Sequence, residues 1–481
     1  MTLTLLALIP LGGAALVWVT GRFRPATVRV AALVVALIQL AFTCVLAVTV
    51  ATHTPATMTG GLTSAASTSF WLLRVDGLAL PLIVLTSLLG VIAVLASWRV
   101  ELRPGAHFAL LLGLQAAVTL VFLADHLVLF YAAWEAVLIP MFFLIGGWGH
   151  EGRRHAAMKF FIYTFAGSAL MLIGLLLVGF TTGELRISAL SSGILDPTLR
   201  TLVFWLLVAG FAVKVPIVPF HTWLPEAHVE APTAGSIMLA GVLLKMGGYG
   251  LLRFALPLAP EAAHAAAPVF ATLGIIGIVY GAVVALAQTD LKRLVAYSSI
   301  AHMGFVVLAI ATGSPLALAA AMLVMVAHGL TSALLFLLVG QLYERTHTRS
   351  LARLGGLLAT LPVWATIFVF ASLASLGLPG LAGFPGELVT FLEGFASWGW
   401  WMVAVALGVV LAGAYSLRAI REVAQGPEKP EWAGLRDLDL IELAAAVPLA
   451  LLIVVMGVWP SVVSGVMDPV ARALSALVGR G

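Results

Sequence analysis

Apolar residues fall into long runs along almost the whole chain, separated by short polar turns. A helix needs ~20 predominantly apolar residues to cross the hydrocarbon layer of a membrane. Fourteen runs of that kind can be counted, near residues 2–20, 28–50, 78–98, 106–124, 127–147, 159–180, 201–221, 233–255, 266–288, 293–312, 315–342, 358–394, 398–420 and 440–464. No stretch shows the ~10-residue alternating segments of a membrane barrel. The pattern therefore predicts an all-α integral membrane protein with about fourteen transmembrane helices. The opening "MTLTLLALIPLGGAALVWVTGRFR" lacks a basic start, and its first positive charge is Arg22. It reads as a first membrane helix rather than a cleaved signal.

Two runs are interrupted. The seventh carries "KVPIVP" at 214–219, and the twelfth carries "ASLASLGLPGLAGFPGE" at 371–387. Proline and clustered glycine break the backbone ladder there. The breaks lie five spans apart. Because five is odd, units made of helices 4–8 and 9–13 would run in opposite directions, the pattern of an inverted-repeat transporter. The expected division is an N-terminal segment at 1–104, repeats at 105–256 and 257–425, and a final helix within 426–481.

Composition agrees with a membrane chain: 62% of the 481 residues are hydrophobic and 10% are charged. The net charge of +4 does not point to nucleic acid, because the placement of the cations explains it. With the N-terminus outside, 17 of the 25 Lys and Arg residues fall in inside loops, six fall outside, and Lys214 and Lys245 lie within spans. This bias follows the positive-inside rule and supports an even number of spans with both termini outside. Cys44 is the single cysteine. It excludes a thiolate-held iron–sulfur cluster, a cysteine zinc site and an internal disulfide. No glycine-rich phosphate loop follows a strand.

Four charged residues lie deep in spans: Glu135, Lys214, Lys245 and Glu387, with His328 adding an imidazole. A charge facing lipid at the bilayer centre costs at least ~2.5–3.5 kcal/mol, so each must pair, meet water or face the interior. Any one of them alone could be a static tie between helices. As a set on several helices, two of them broken, they suit a proton relay. The expected scheme pairs Glu135 with Lys214, lets Lys245 take the proton from Lys214 through His328 and trapped water, and has Glu387 pass it on to the far side. His221 and His228 flank the first break, either as relay members or as caps. Asp76 reads as a helix N-cap, and Glu393 as a solvated group.

The stretches "WEAVLIPMFFLIGGWG", "KVPIVPFHTWLPEAHVEAPTAGSIMLAGVLLKMGGYGLLR", "QTDLKRLVAYSSIAHMGF", "AHGLTSALLFLLVGQLYERTHTR" and "LPGLAGFPGE" closely resemble the antiporter-like membrane subunits of respiratory complex I. The likeness covers about residues 70–425. An acid at Glu387, where other branches of the family carry lysine, resembles the subunit-four branch. The resemblance implies a proton-translocating role for Glu135, Lys214, Lys245, His328 and Glu387 in NADH:quinone oxidoreductase. It implies no cofactor on this chain, with NADH, FMN, iron–sulfur clusters and quinone held by other subunits. It also implies NuoL- and NuoN-like membrane neighbours and a bacterial plasma membrane. Similar subunits serve multisubunit Na⁺/H⁺ antiporters and membrane-bound hydrogenases, and these are the alternatives.

Overall fold

The computed structural model describes residues 2–53, 68–70, 72–190, 193 and 195–479. The helices, in chain order, are α1 (Thr2–Phe23), α2 (Val28–His53), α3 (Leu80–Ala96), α4 (Pro104–Leu123), α5 (Leu127–Trp148), α6 (Arg153–Thr182), α7 (Pro197–Lys214), α8 (Trp223–Glu230) and α9 (Thr233–Leu258). They continue as α10 (Pro260–Leu286), α11 (Leu291–Thr312), α12 (Pro315–Thr346), α13 (Pro362–Leu376), α14 (Gly383–Trp398), α15 (Met402–Val423), α16 (Leu440–Val458) and α17 (Ser461–Val478). A small antiparallel hairpin, β1 (Thr68–Phe70) and β2 (Leu73–Val75), precedes α3. Every predicted span contains helix, and 13 helices are long and apolar enough to cross a membrane.

Both interruptions occur where Pro and Gly cluster. Span seven ends at Lys214 and resumes as the short α8. Span twelve is the pair α13 and α14. One expectation needs correction. The last run was read as 440–464, but α16 stops at Val458, where "WP" at 459–460 turns the chain. A further helix, α17, follows. It buries Val463, Met467, Ala471, Leu474 and Val478, three or four residues apart, while Val462 and Leu477 stay exposed. Its polar members, Asp468 and Arg472 among them, dilute the hydropathy that marked the other spans. Arg480, counted among the outer cations, lies outside the described residues.

Burial sorts the helices. The sampled spans of α9 and α12 are wholly buried, and that of α11 nearly so at 94%, whereas those of α1 and α2 are mostly exposed. In water such faces would be costly; in lipid, apolar side chains on the outside are at rest, so burial is set by packing. Small residues let the inner helices close up. A Cβ on Gly247 would sit 2.7 Å from the Phe211 carbonyl oxygen and 2.8 Å from the Val215 nitrogen, so α9 touches the end of α7 backbone to backbone.

The two ends of the bundle are tied by ions. At the end bearing most of the cationic loops, Arg345 grips Glu442 with two bonds of 2.8 and 2.6 Å, and Arg99 reaches Asp439 at 2.7 Å. These contacts join α3, α12 and α16. Asp439 also accepts from the first turn of α16 in a capping box, and its carboxyl is held below the usual range by those backbone bonds and by Arg99. At the opposite end Arg253 holds Asp76 at 2.6 and 2.7 Å, and Asp76 also accepts from the amides of Leu78 and Ala79. Asp76 is thus both the expected cap and half of a buried pair. Glu393 is not simply solvated: Ser314, the N-cap of α12, donates to it at 2.6 Å.

Burial alone would raise the Asp76 carboxyl, but Arg253, with Arg74 behind it, lowers it to about 2. Its stabilisation is therefore complete above the ordinary value of 3.8 and fades as pH falls toward about 2. Asp76→Asn should cost ~3–5 kcal/mol by leaving Arg253 unpaired. A lower unfolding temperature of the purified protein at neutral pH is the expected reading, and an unchanged one would refute it.

Candidate polar axis across the bundle

The interior ionisable groups converge on the buried helices α9, α11 and α12 and on the two breaks. Lys245 sits in α9 just after a π-turn at Leu239–Leu243. The wider turn disturbs the regular carbonyl ladder, and the Lys245 ammonium bonds the Ala240 carbonyl at 2.5 Å. On its other side the ammonium lies 2.7 Å from His328 Nδ1. Lys245 is 0% exposed, so these contacts replace its water. His328, expected on the way into Lys245, is in direct contact with it.

The axis continues through a residue that the sequence reading did not single out. His302, on α11, has its ring centre 5.6 Å from that of His328. Its Nδ1 is 3.0 Å from Glu387 Oε1, and its Nε2 is 3.2 Å from Ser375 Oγ on α13. Tyr415, on α15, is buried within reach of the Glu387 field. A cavity of about 10 Å³, room for about one water, lies among His302, His328, Ser375 and Glu387. His328 Nε2 has no protein partner. His302 lay in the quoted "SSIAHMGF", where the cationic loop before it drew attention. Its place one turn beyond Ser298 and Ser299 on an otherwise apolar helix was the available signal.

The other arm differs from its expected form. Glu135 and Lys214 do not form an ion pair: no contact of 4.0 Å or less joins them. Lys214 instead points between the faces of Trp134 and Phe160, 5.3 and 5.9 Å from their ring centres. Cation–π contacts of this kind are worth ~0.5–2 kcal/mol. Glu135 reaches Lys214 only through its field and is flanked by the hydroxyls of Ser168 and Tyr131. The physical reason is geometric: Trp134 and Phe160 take up the space beside the ammonium, so the carboxylate beyond them acts at a distance.

The helix breaks set the charges. Lys214 is the last residue of α7, where the exposed carbonyls favour a cation. Glu387 lies in the second turn of α14, close to the break. Gly377 ends α13 at φ +82, and a Cβ there would lie 2.8 Å from Glu387 Oε2. Two histidines are separate from this row. His221 contacts Tyr280 on α10 at 3.2 Å. His228 is 0% exposed, stacks on Phe336 at 4.4 Å, and has no partner at either ring nitrogen.

Known proteins share this arrangement of helices. The family described as "NADH:quinone oxidoreductase/Mrp antiporter, TM" matches residues 124–413. The chain belongs to this family. NADH-quinone oxidoreductase subunit M of Pseudomonas aeruginosa is 46% identical over 431 residues, covering 85% of this chain and 84% of that one. Subunit M of Escherichia coli is 45% identical over 407 residues, covering 81% and 79%. A chain of respiratory complex I from Thermus thermophilus superposes with a TM-score of 0.88 at 30% identity, each chain fully covered. A chain of an archaeal membrane-bound sulfane sulfur reductase superposes at 0.83 with 26% identity, covering 97% of this chain and 77% of that one. The chain is thus a multi-pass, antiporter-like membrane subunit of the complex I type, and its partners are other subunits of such a complex.

Gly377→Ala tests the tight contact at the second break. Forcing a side chain at positive φ costs ~1–2 kcal/mol, and the added methyl must displace the Glu387 carboxylate. Proton pumping should fall while the complex still assembles, as read by proton uptake per NADH oxidised beside the assembled yield. Full pumping would show that the carboxylate position is not constrained there.

Proposed function

We propose that Glu135, Lys214, Lys245, His328, His302 and Glu387 form a proton path lying along the membrane midplane. The observation that carries it is the pair of contacts Lys245–His328 and His302–Glu387, with one water-sized gap between the two histidines. An imidazole takes a proton at one nitrogen and releases one at the other. A proton leaving Lys245 Nζ reaches His328 Nδ1; His328 Nε2 then hands one, through a single water, toward His302. His302 and Glu387 share it across 3.0 Å. The Ser375 hydroxyl holds the His302 ring in place. On the other arm, the field of Glu135 stabilises charge on Lys214, and movement at the "KVPIVP" break changes that field.

The two breaks belong to the proposed opposed units at 105–256 and 257–425. NADH oxidation and quinone reduction are assigned to partner subunits, which would also hold the NADH, FMN, iron–sulfur clusters and quinone. The face rich in cationic loops is assigned to the cytoplasm of a bacterial plasma membrane, which puts the N-terminus and the end of α16 on the far side. NuoL- and NuoN-like neighbours would cover lipid-facing surfaces of the bundle.

The test is the reconstituted complex with Lys245→Ala or His302→Ala. A lost general acid–base group in such a path should lower proton uptake by about 10²-fold. Assembly, read by native gel, should hold. A complex that pumps normally with Lys245→Ala would end the relay assignment.

A further inference from the structure

The helix that carries Lys245 also carries Tyr249 and Arg253, at intervals of four residues, so the three long side chains follow one another along one face of α9. They run away from the cationic loops, toward the end where Arg253 meets Asp76. From Lys245 to Arg253 the helix rises only about 12 Å. Water can approach Arg253 from that end: a cavity of about 20 Å³, room for about one molecule, is walled by Arg74, Ser188, Arg253 and Pro257. Ser188 donates its amide and its hydroxyl to Asp125 at 2.8 and 2.7 Å, which holds the loop after α6 against this cavity. A polar face of this kind is a short way out of the bundle for a proton on Lys245.

The groups along it are nevertheless closed to a proton. Tyr249 is 1% exposed; its hydroxyl donates to the Phe122 carbonyl on α4 at 3.3 Å and accepts from Arg253 Nε at 3.1 Å. The rest of the guanidinium donates to both oxygens of Asp76, at 2.7 and 2.6 Å, and its centre lies 5.2 Å from that of the Tyr249 ring. The amides of Leu78 and Ala79 occupy Asp76 Oδ1 as well. A guanidinium has donors only, accepts no proton and stays charged in proteins. Its fixed charge also raises the energy of any cation brought beside it. The other side of Lys245 differs in chemistry. There the His328 ring can take a proton at one nitrogen, and its Nε2 has no protein partner.

We propose that Arg253, held by Asp76 and Tyr249, is the seal that stops a proton on Lys245 from leaving straight along α9, so that the lateral way through His328 is the one left to it. The inference rests on the relay proposed above and gives a second task to an ion pair that otherwise serves as a tie between helices. Without the seal, water would join Lys245 to the surface opposite the cationic loops. Protons already delivered to that side would then run back to Lys245 as the gradient builds, and turnover would be uncoupled from transport.

The test uses the whole complex in proteoliposomes, with both members of the pair changed together so that no buried charge is stranded. Arg253→Ser with Asp76→Asn leaves a polar space that water fills. Arg253→Met with Asp76→Asn loses the same ion pair but keeps the space full of apolar atoms. The serine variant should dissipate an imposed pH gradient, without NADH, about tenfold faster than the unaltered complex, and an uncoupler should no longer speed its NADH oxidation. The methionine variant should stay tight. Equal leakage from the two variants, or leakage from neither, overturns the seal. Arg253→Gln with Asp76→Asn, closer to the original shape, takes the place of the serine variant if a native gel shows that the latter does not assemble. Adding Lys245→Ala to the leaking variant should close the leak; a leak that persists does not run through Lys245 and overturns the proposal. If Lys245→Ala alone stops pumping while the serine variant stays tight, the relay stands and the seal alone falls.

Discussion

An ammonium or carboxylate inside a membrane bundle must be supplied with everything that water would have given it, and the rest of this structure is arranged around that demand. Lys245 is the clearest case. It has no carboxylate partner, so it takes a carbonyl from its own helix and an imidazole from α12. The π-turn before it brings the carbonyl into reach, and the full burial of α9 and α12 keeps lipid away. Lys214 meets the same demand with two aromatic faces and a distant acid. Neither solution is as firm as a close ion pair. That looseness is what a group needs if its proton is to leave, since a tightly satisfied pair such as Asp76–Arg253 holds its charges in place.

The helix breaks and the charges are coupled by the backbone. Interrupting a helix exposes amides at one new end and carbonyls at the other. The first break puts a lysine at the carbonyl end, and the second has a glutamate one turn into the helix that follows it. The same interruptions give local freedom that an intact span lacks, because fewer ladder bonds resist a change of angle. The bundle around them is closely packed and tied by ion pairs at both ends.

Much of this was legible in the residues. The period and length of the apolar runs set the class, since only helices satisfy every backbone group in lipid. The cation bias set the alternation of loops, and Pro and Gly clusters marked both breaks. The four interior charges stood out because charge is rare and costly at that depth. The amphipathic α17 was not legible by the same rule, because Asp468, Arg472 and its other polar residues dilute its hydropathy. His302 was missed for a related reason: a histidine near a cationic loop carries no cost that would single it out, and only helix rotation shows which way it points.

The sequence alone therefore determined the membrane class, the places where helices break and the identity of the costly charges. These follow from local properties: hydropathy, backbone chemistry and the price of burying an ion. Only the tertiary structure decided which charges meet. It set Lys245 against His328, joined His302 to Glu387, and put Trp134 and Phe160 where a direct Glu135–Lys214 pair had been expected. Those choices depend on the rotation and spacing of helices far apart in the chain, which small residues such as Gly247 permit through packing that no single run of sequence specifies.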